Sequence, residues 1–228
     1  MLFDFYGTLA RAMSWGDTHE QVFARHGLPF DADRWGWNFI GETNDGDEHL
    51  EHSVDRDAYV AWEHERLRRR ARGCGVDDDV LDALVADLYA ASKTYVLEPY
   101  DDVPGVLADL RARGVTVAIC SNWDWDIERA IAGAGLEGTA DVVVTSARAG
   151  ARKPHPRIYR HTLERCGASA AEALFVGDTL HADVEGPLAY GMAAVHLWRE
   201  DLIGSPPPLP PGATRAPDLR AVLDLVDR

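Results

Sequence analysis

Met1-Leu2-Phe3-Asp4-Phe5-Tyr6-Gly7-Thr8-Leu9 opens this 228-residue chain, and the rest of the sequence is organised around it. The stretch begins as an apolar run, carries Asp4 at the end of that run and breaks at Gly7, which predicts a short buried strand followed by a loop. In open α/β sheets, reactive groups lie beyond the carboxyl ends of the strands. We therefore expect Asp4 to be a nucleophile, a metal ligand or both, although the stretch alone also fits a strand end with a capping Asp. Only three residues precede Asp4, so the first strand is expected to be short, and a further stretch before Met1 stays open.

Three more strand ends or turns carry reactive polar side chains. They are Ser121 after the apolar run 115–120, Lys153 before Pro154 in a predicted turn, and Asp178 and Asp183 after the apolar run 173–176. In this order and at these spacings, the residues resemble the four motifs of the haloacid dehalogenase-like (HAD) hydrolase superfamily. Those motifs are an Asp nucleophile, a Ser or Thr, a Lys and a pair of acidic residues. Each motif alone is weak, but four in order are specific, and the resemblance extends from Asp4 to the last predicted helix.

The resemblance implies that Asp4 attacks the substrate and forms a covalent intermediate that water then cleaves. The hydroxyls of Thr8 and Ser121 can position that carboxylate or bind a phosphoryl oxygen. Asn122 adds an amide for substrate binding. Ser121 and Asn122 equally fit the N-terminal cap of the next predicted helix.

Lys153 is unusual by composition, because the chain has 21 Arg and only two Lys, the other being Lys93. A compact ammonium can neutralise the nucleophile and the charge that develops on a transferring group, in a space that a planar guanidinium does not fit. We therefore expect Lys153 to be catalytic and to bind the substrate. The alternative is a surface Lys in a proline turn.

The carboxylates of Asp178 and Asp183, together with Asp4, make an all-oxygen site of the kind that Mg²⁺ accepts. The resemblance implies that the metal also takes the backbone carbonyl of Tyr6, two residues after the nucleophile. Asp178 and Asp183 could instead favour the dipole at the start of a helix.

Tyr6 departs from the family's usual pattern, in which phosphatases carry a second Asp that protonates the leaving group. We count Tyr6 among the candidate catalytic residues, although a phenol with a pKa near ~10 is a poor acid at neutral pH. By resemblance, a Tyr here is common in the metal-free dehalogenase branch, whereas Asp178 and Asp183 indicate a metal-dependent phosphatase. The acidic pair is weighed more heavily, because clustered carboxylates without a cation would repel one another.

Strands that alternate with helices predict an α/β fold, a three-layer doubly wound (Rossmann-like) parallel sheet. Residues 11–95 lack buried-strand runs and show helical patterns instead. We expect a core of residues 1–12 and 97–228 and an inserted α-helical cap domain, residues 13–96, that closes over the active site. The predicted helices are 14–26, 55–72, 77–94, 102–113, 124–134, 155–166, 179–190 and 217–226; the predicted strands after the first are 115–120, 141–144, 173–176 and 193–197; and 205–212 is predicted to be an extended loop.

The cap contains several aromatic and basic side chains. Its tryptophans, expected to pack the cap's own core, are Trp15, Trp35, Trp37 and Trp62. Its basic run, expected to be a solvated helix face, is Arg68, Arg69, Arg70 and Arg72.

The net charge of -15 argues against nucleic acid or an anionic membrane as a partner. The sequence shows no signal segment and no apolar run near ~18 residues, so neither export nor membrane spanning is expected. Three cysteines without metal-ligand spacing fit a reduced, cytoplasmic protein. The oligomeric state is left open.

The expected function is that of an Mg²⁺-dependent HAD hydrolase acting on a small phosphorylated molecule through an aspartyl-phosphate on Asp4. One alternative is a 2-haloacid dehalogenase that uses the same Asp4 on carbon. Another is a catalytically weak binding protein, in which Tyr6 marks a lost activity.

Overall fold

The computed structural model of the protein describes residues 1–36, 48–199 and 204–225. The strands are β1 (Leu2–Phe3), β2 (Ala10–Trp15), β3 (Tyr95–Pro99), β4 (Ala118–Ser121), β5 (Val142–Thr145), β6 (Leu174–Gly177), β7 (Ala193–Leu197) and β8 (Ala213–Ala216). The α-helices are α1 (His19–Arg25), α2 (Ala32–Trp35), α3 (Arg56–Gly73), α4 (Asp78–Ser92), α5 (Val103–Ala112), α6 (Ile127–Gly133), α7 (Ser146–Ala149), α8 (Pro156–Cys166), α9 (Gly186–Tyr190) and α10 (Arg220–Leu223). Leu50–His52 and Ala170–Glu172 are 3₁₀ turns, and Leu180–Glu185 is a π-helix.

Six strands form a parallel sheet in the order β5-β4-β1-β6-β7-β8, with helices flanking it. From β1 the chain places later strands first on one side and then on the other, so the direction of winding reverses at β1. The predicted α/β Rossmann-like class is therefore confirmed. Ligands of such sheets bind at the carboxyl edge where the winding reverses.

The central strands are apolar because the sheet is covered on both faces. All four residues of β4 are buried, and so are Leu2 and Phe3 of β1. Helix α8 begins at Pro156, a favoured first helical residue, and packs Ile158 and Tyr159 against β4 and β5. Fully burying a side chain of this size contributes roughly 1.5–3 kcal/mol.

The contacts divide the chain into two compact units, one of residues 1–11 and 97–228 and the other of residues 12–96. The second unit is helical and has its own core, in which Phe23 and Trp35 pack with apolar residues of α3 and α4. Helix α3 begins after Asp55, whose carboxylate accepts from the N–H of Ala58. That the second unit acts as a cap stays a prediction.

The predicted helix 14–26 is wrong at its start, because residues 10–15 form strand β2, which pairs with β3. Neither strand was predicted. Helix α1 instead begins after Thr18, whose hydroxyl accepts from the N–H of Gln21 while the Gln21 amide accepts from the N–H of Thr18. This capping box is legible in the sequence as Thr-x-x-Gln.

Of the other predicted elements of the core unit, strand 193–197 occurs as β7 with the same bounds. The predicted helix 179–190 is divided into the π-helix and α9, and the remaining elements occur with shifted ends. Strand β4 begins at Ala118 because the N–H of Val117 donates to the carboxylate of Asp141. Strand β8 was not predicted, because its four residues lie between prolines and show no apolar run. Residues 205–212 contain neither helix nor strand, as expected, and the last helix shortens to α10, with Val226 outside the described residues.

The expectation for the tryptophans was only partly right. Trp35 is 1% exposed, but Trp15 is 47% exposed and Trp62 is half-buried, while Trp37 lies outside the described residues. The basic run is also mixed, because Arg70 is buried and donates to the carbonyl of Trp35. Within the described ranges, no helix is both long enough and apolar enough to cross a membrane.

Candidate functional site

Asp4 directly follows β1, the strand at which the sheet's winding reverses. Its N–H donates to the carbonyl of Val176 in β6 at 3.0 Å, which continues the parallel ladder by one residue. The residue is only 8% exposed. Asp4 therefore lies at the carboxyl edge of the sheet with its backbone held rigidly.

The ammonium of Lys153 lies between two carboxylates. Its Nζ donates to Oδ1 of Asp4 at 2.7 Å and to Oδ1 of Asp183 at 2.6 Å, and its side chain is 2% exposed. Burial alone would lower the pKa of Lys153, but the charges of Asp183 and Asp4 outweigh it and hold the pKa above its ordinary value. Lys153 is thus a buried, permanently charged cation at the site.

Asn122 holds the backbone of Lys153 through both ends of its amide. The Oδ1 atom accepts from the Lys153 N–H at 2.7 Å, and Nδ2 donates to the Lys153 carbonyl at 3.1 Å. This contact was not predicted, and it gives Asn122 a part in placing the ammonium. The alternative that Ser121 and Asn122 cap the next helix is wrong, because α6 begins only at Ile127.

Ser121 ends β4 and is 2% exposed. Strands β1 and β4 are parallel neighbours, so Ser121 lies at the same sheet edge as Asp4. Its predicted part in catalysis and substrate binding stays a prediction.

Thr8 and Asp178 are paired across the site. The Thr8 hydroxyl donates to Oδ1 of Asp178 at 2.9 Å, and Thr8 is completely buried. The turn between Asp4 and Thr8 lies against the same carboxylate, because a Cβ on Gly7 would come within 2.5 Å of Oδ2 of Asp178. Gly7 also has φ +81°, a conformation that favours glycine.

Asp183 lies in the π-helix, whose wider turn is frequent at functional sites. It is completely buried, and its Oδ2 accepts from the N–H of Thr179 at 3.0 Å. The second carboxylate oxygen is the one that Lys153 contacts. Asp183 is therefore fixed at both oxygens.

The carboxylates of Asp4, Asp178 and Asp183 converge, with one oxygen of each within 4.8 Å of the others. Burial is the largest cause, and the neighbouring carboxylates the next, of the rise in the pKa of Asp178 to about 7. Burial and the charge of Asp4 raise the pKa of Asp183 to about 6, although Lys153 opposes them. When all three carboxylates are ionised, they and the one ammonium leave two negative charges buried at the site. Oxygens at this spacing fit the coordination shell of a divalent cation.

Tyr6 lies half-buried in the turn that follows β1. Its carbonyl belongs to the same turn as Gly7, which contacts Asp178. The predicted roles of the Tyr6 carbonyl as a metal ligand and of the residue in catalysis stay predictions.

Two buried polar side chains that support the site were missed from the sequence. Arg199, two residues after β7, donates to the carbonyl of Thr8 at 2.7 Å and to Oδ1 of Asp102 at 3.0 Å. His196, in β7, lies 3.0 Å from the carbonyl of Asp178 through Nε2. A polar residue within or just after an otherwise apolar strand was the signal that could have identified both.

Replacing Gly177 with Ala is expected to lower the free energy of unfolding by about 1–3 kcal/mol. A Cβ there would lie 2.4 Å from Cγ of Asp183, whose oxygens are already held by Lys153 and Thr179. Urea unfolding would measure the change. The control is Gly105→Ala in α5, where no atom lies within 4 Å of the added Cβ, and equal effects of the two substitutions would contradict the prediction.

The fold and these side chains define a class of protein: an α/β protein with a cluster of carboxylates beside a buried Lys at the carboxyl edge of a parallel sheet. A family profile described as haloacid dehalogenase-like hydrolase matches residues 1–191. The chain belongs to that family.

Three known proteins show the extent of the similarity. The mouse haloacid dehalogenase-like hydrolase domain-containing protein 3 is 35% identical over 133 residues, 58% of this chain and 53% of that protein. The phosphoserine phosphatase of Thermus thermophilus is 32% identical over 148 residues, 63% of this chain and 59% of that protein. The structure of the L-2-haloacid dehalogenase from Xanthobacter autotrophicus is 25% identical, with a TM-score of 0.60 over 99% of this chain and 97% of that one. The chain spans about half the length of the curated relatives it matches.

Proposed function

We propose that this hydrolase is an Mg²⁺-dependent phosphatase that acts on a small phosphorylated molecule through an aspartyl-phosphate on Asp4. The observation that carries the proposal is the convergence of Asp4, Asp178 and Asp183 around Lys153. The three carboxylates repel one another, and the single charge of Lys153 does not neutralise them all. The cluster therefore favours a reaction that uses a bound metal ion. The similarity to a phosphoserine phosphatase supports a phosphorylated substrate.

The Mg²⁺ ion would be held by the carboxylates of Asp4, Asp178 and Asp183 and by the carbonyl of Tyr6. When bound, it supplies positive charge to the oxygens of the transferring phosphoryl group. The ammonium of Lys153, which donates to Oδ1 of Asp4, supplies a second positive charge. Asn122 keeps that ammonium in place through the Lys153 backbone.

In the first step an oxygen of Asp4 attacks phosphorus, and the bond from phosphorus to the leaving oxygen breaks with its electron pair on that oxygen. Water then attacks phosphorus, and the bond from phosphorus to Asp4 breaks with its electron pair on the Asp4 oxygen. This step restores the Asp4 carboxylate and releases inorganic phosphate. The hydroxyl of Ser121 and the amide of Asn122 are proposed to bind the phosphoryl oxygens. The helical unit, residues 12–96, is proposed to act as the cap that selects the substrate.

Phosphate release should depend strongly on the leaving group, because Tyr6 stands where a carboxylic acid would protonate it. We expect aryl phosphates to be cleaved faster than alkyl phosphates by ~10²-fold or more, the typical contribution of a general acid. The measurement is phosphate release from a series of substrates of different leaving-group pKa, with Mg²⁺ and with EDTA. Rates that do not vary across the series would contradict the interpretation that Tyr6 leaves the site without a general acid.

A 2-haloacid dehalogenase is the second candidate, favoured by Tyr6 and by the similarity to an L-2-haloacid dehalogenase. Here an oxygen of Asp4 attacks carbon, the halide leaves with the bonding electrons, and water cleaves the resulting ester. Halide release from a 2-haloacid in EDTA would support this candidate. Turnover of neither substrate class, with ligand binding that survives Asp4→Asn, would instead indicate a binding protein.

Mg²⁺ should stabilise the protein more at high than at low pH, because protons and metal compete for the same carboxylates. Below the raised pKa values of Asp183 and Asp178, about 6 and about 7, both groups are protonated in the folded protein. In the metal-free protein these raised values contribute stability at low pH that is lost as the pH rises to about 7. Above that pH both groups are ionised, so Mg²⁺ binds without displacing protons and stabilises the protein most.

The expected size of the stabilisation by Mg²⁺ follows from mass action. At about a hundred times its Kd, Mg²⁺ adds ~2.7 kcal/mol, which raises the Tm of a chain of this size by roughly 5–10 °C. We expect this increase at about pH 8 and less than half of it at about pH 5. Thermal unfolding with Mg²⁺ and with EDTA measures it, and an equal increase at both pH values would contradict the prediction.

A further inference from the structure

His196 lies in a row of residues that crosses three neighbouring strands. In the parallel register, His196 of β7 is opposite Gly177 of β6 on one side and opposite Arg215 of β8 on the other. Register partners point to the same face of a sheet. The imidazole is 1% exposed, so the row is closed to solvent at His196.

The hydrogen bonds of this row define which ring nitrogen carries the proton. Nε2 of His196 lies 3.0 Å from the carbonyl of Asp178, and a carbonyl can only accept, so Nε2 is the donor. In the neutral ring Nδ1 then accepts, and Arg215 offers Nη2 at 3.3 Å and Nε at 3.4 Å. The same guanidinium also donates to the carbonyl of Pro207, in the proline-rich segment before β8.

The carbonyl that His196 holds belongs to the peptide unit between Asp178 and Thr179. The N–H of that same unit donates to Oδ2 of Asp183 at 3.0 Å. A peptide unit is planar, so its C=O and N–H cannot turn independently. One hydrogen bond from His196 therefore orients both the backbone carbonyl of Asp178 and the Thr179 N–H that donates to Asp183.

We propose that His196, oriented by Arg215, is a positioning residue that sets the spacing of the Asp178 and Asp183 carboxylates for a divalent cation. The inference rests on the proposed function, since the cation is the Mg²⁺ of that function. Without the imidazole donor the peptide unit can rotate, and Asp183 loses a fixed partner. Outer-shell partners of metal ligands typically contribute ~10–100-fold to metal affinity.

The test compares His196→Leu, which removes the donor, with His196→Gln, whose amide can donate to Asp178 and accept from Arg215. Isothermal titration with Mg²⁺ alone gives the Kd for the metal, and circular dichroism checks that each variant is folded. We expect His196→Leu to raise the Kd by ~10-fold or more, and His196→Gln to stay within about threefold of wild type. Arg215→Met, at a half-buried position, should give a smaller increase, and Arg220→Met at the surface none.

In turnover, the Mg²⁺ concentration for half-maximal rate should rise in His196→Leu while KM for an aryl phosphate stays constant. Equal Kd values for wild type and His196→Leu would overturn the inference and leave the proposed function intact. Equal losses of Mg²⁺ affinity in His196→Leu and His196→Gln would also overturn the inference, because they would show that the packing of the imidazole matters and its hydrogen bonds do not. A wild-type protein that binds no Mg²⁺ would overturn the metal dependence of the proposed function and this inference with it.

Discussion

Replacing Asp4 with Asn is expected to lower Mg²⁺-dependent phosphate release by at least ~10³-fold, the scale of loss when a covalent nucleophile is removed. An amide has nearly the same shape as the carboxylate but is not a nucleophile at neutral pH. The variant should remain folded, because Lys153 keeps its bond to Asp183 at 2.6 Å and one charge leaves a crowded acidic cluster. Phosphate release from an aryl phosphate is the measurement.

The control for this prediction is Asp109→Asn, which removes the same charge from the exposed face of α5. Its rate should equal that of the wild type. Release by Asp4→Asn at more than a tenth of the wild-type rate would exclude Asp4 as the nucleophile. Trapping of a phosphorylated wild-type protein by mass spectrometry, and its absence from Asp4→Asn, would locate the covalent step.

Replacing Arg199 with Met is expected to lower the free energy of unfolding by about 3–5 kcal/mol, because it leaves the buried carboxylate of Asp102 without its cation. Arg199 and Asp102 are each 6% exposed and lie 3.0 Å apart. The guanidinium also covers the ring of Tyr100 at 3.7 Å, and the other oxygen of Asp102 accepts from the N–H of Leu219. Met keeps part of the packing while removing the charge.

Two comparisons separate the charge from the packing. The double variant Arg199→Met, Asp102→Asn should recover part of the loss, since no buried charge is then unpaired. Arg220→Met breaks the exposed pair with Asp218, and its cost should stay below about 1 kcal/mol. Urea unfolding measures all three variants, and equal costs at positions 199 and 220 would contradict the prediction. Because Arg199 also holds the Thr8 carbonyl, its loss should reduce turnover as well.

Most of the candidate site residues could be found from the sequence because they follow apolar runs. Parallel strands end at one sheet edge, so strand ends far apart in the chain meet there. Asp4, Ser121 and Asp178 were predicted on this ground, and the structure does bring them to the same edge. Lys153 was found differently, from its rarity in a chain that otherwise uses Arg.

The partners of these residues could not be found in the same way. The hydroxyl of Thr8 donates to Asp178, 170 residues later, a contact that the sequence did not predict. Both ends of the Asn122 amide hold the backbone of Lys153, a contact that the sequence did not predict, and its part in substrate binding stays a prediction. Such contacts depend on the relative height of two loops above the sheet, which no local pattern encodes.

Local signals were also missed where a longer-range pattern was followed instead. The capping box at Thr18 sets the start of α1 and is written in four consecutive residues, but the helical period was extended back to residue 14. In contrast, β8 has no apolar period of its own. It becomes a strand because β7 offers unpaired backbone groups at the sheet edge.

The order of apolar runs, turns and polar strand ends in the sequence is enough for the α/β class, the family and the candidate site residues. These features are local, since propensity and periodicity act over a few residues. The supporting contacts of Lys153, His196 and Arg199 arise only in the folded chain. Lys153 and Asp4 are 149 residues apart in sequence and 2.7 Å apart in space, and that distance is set by how the strands register and the helices pack between them.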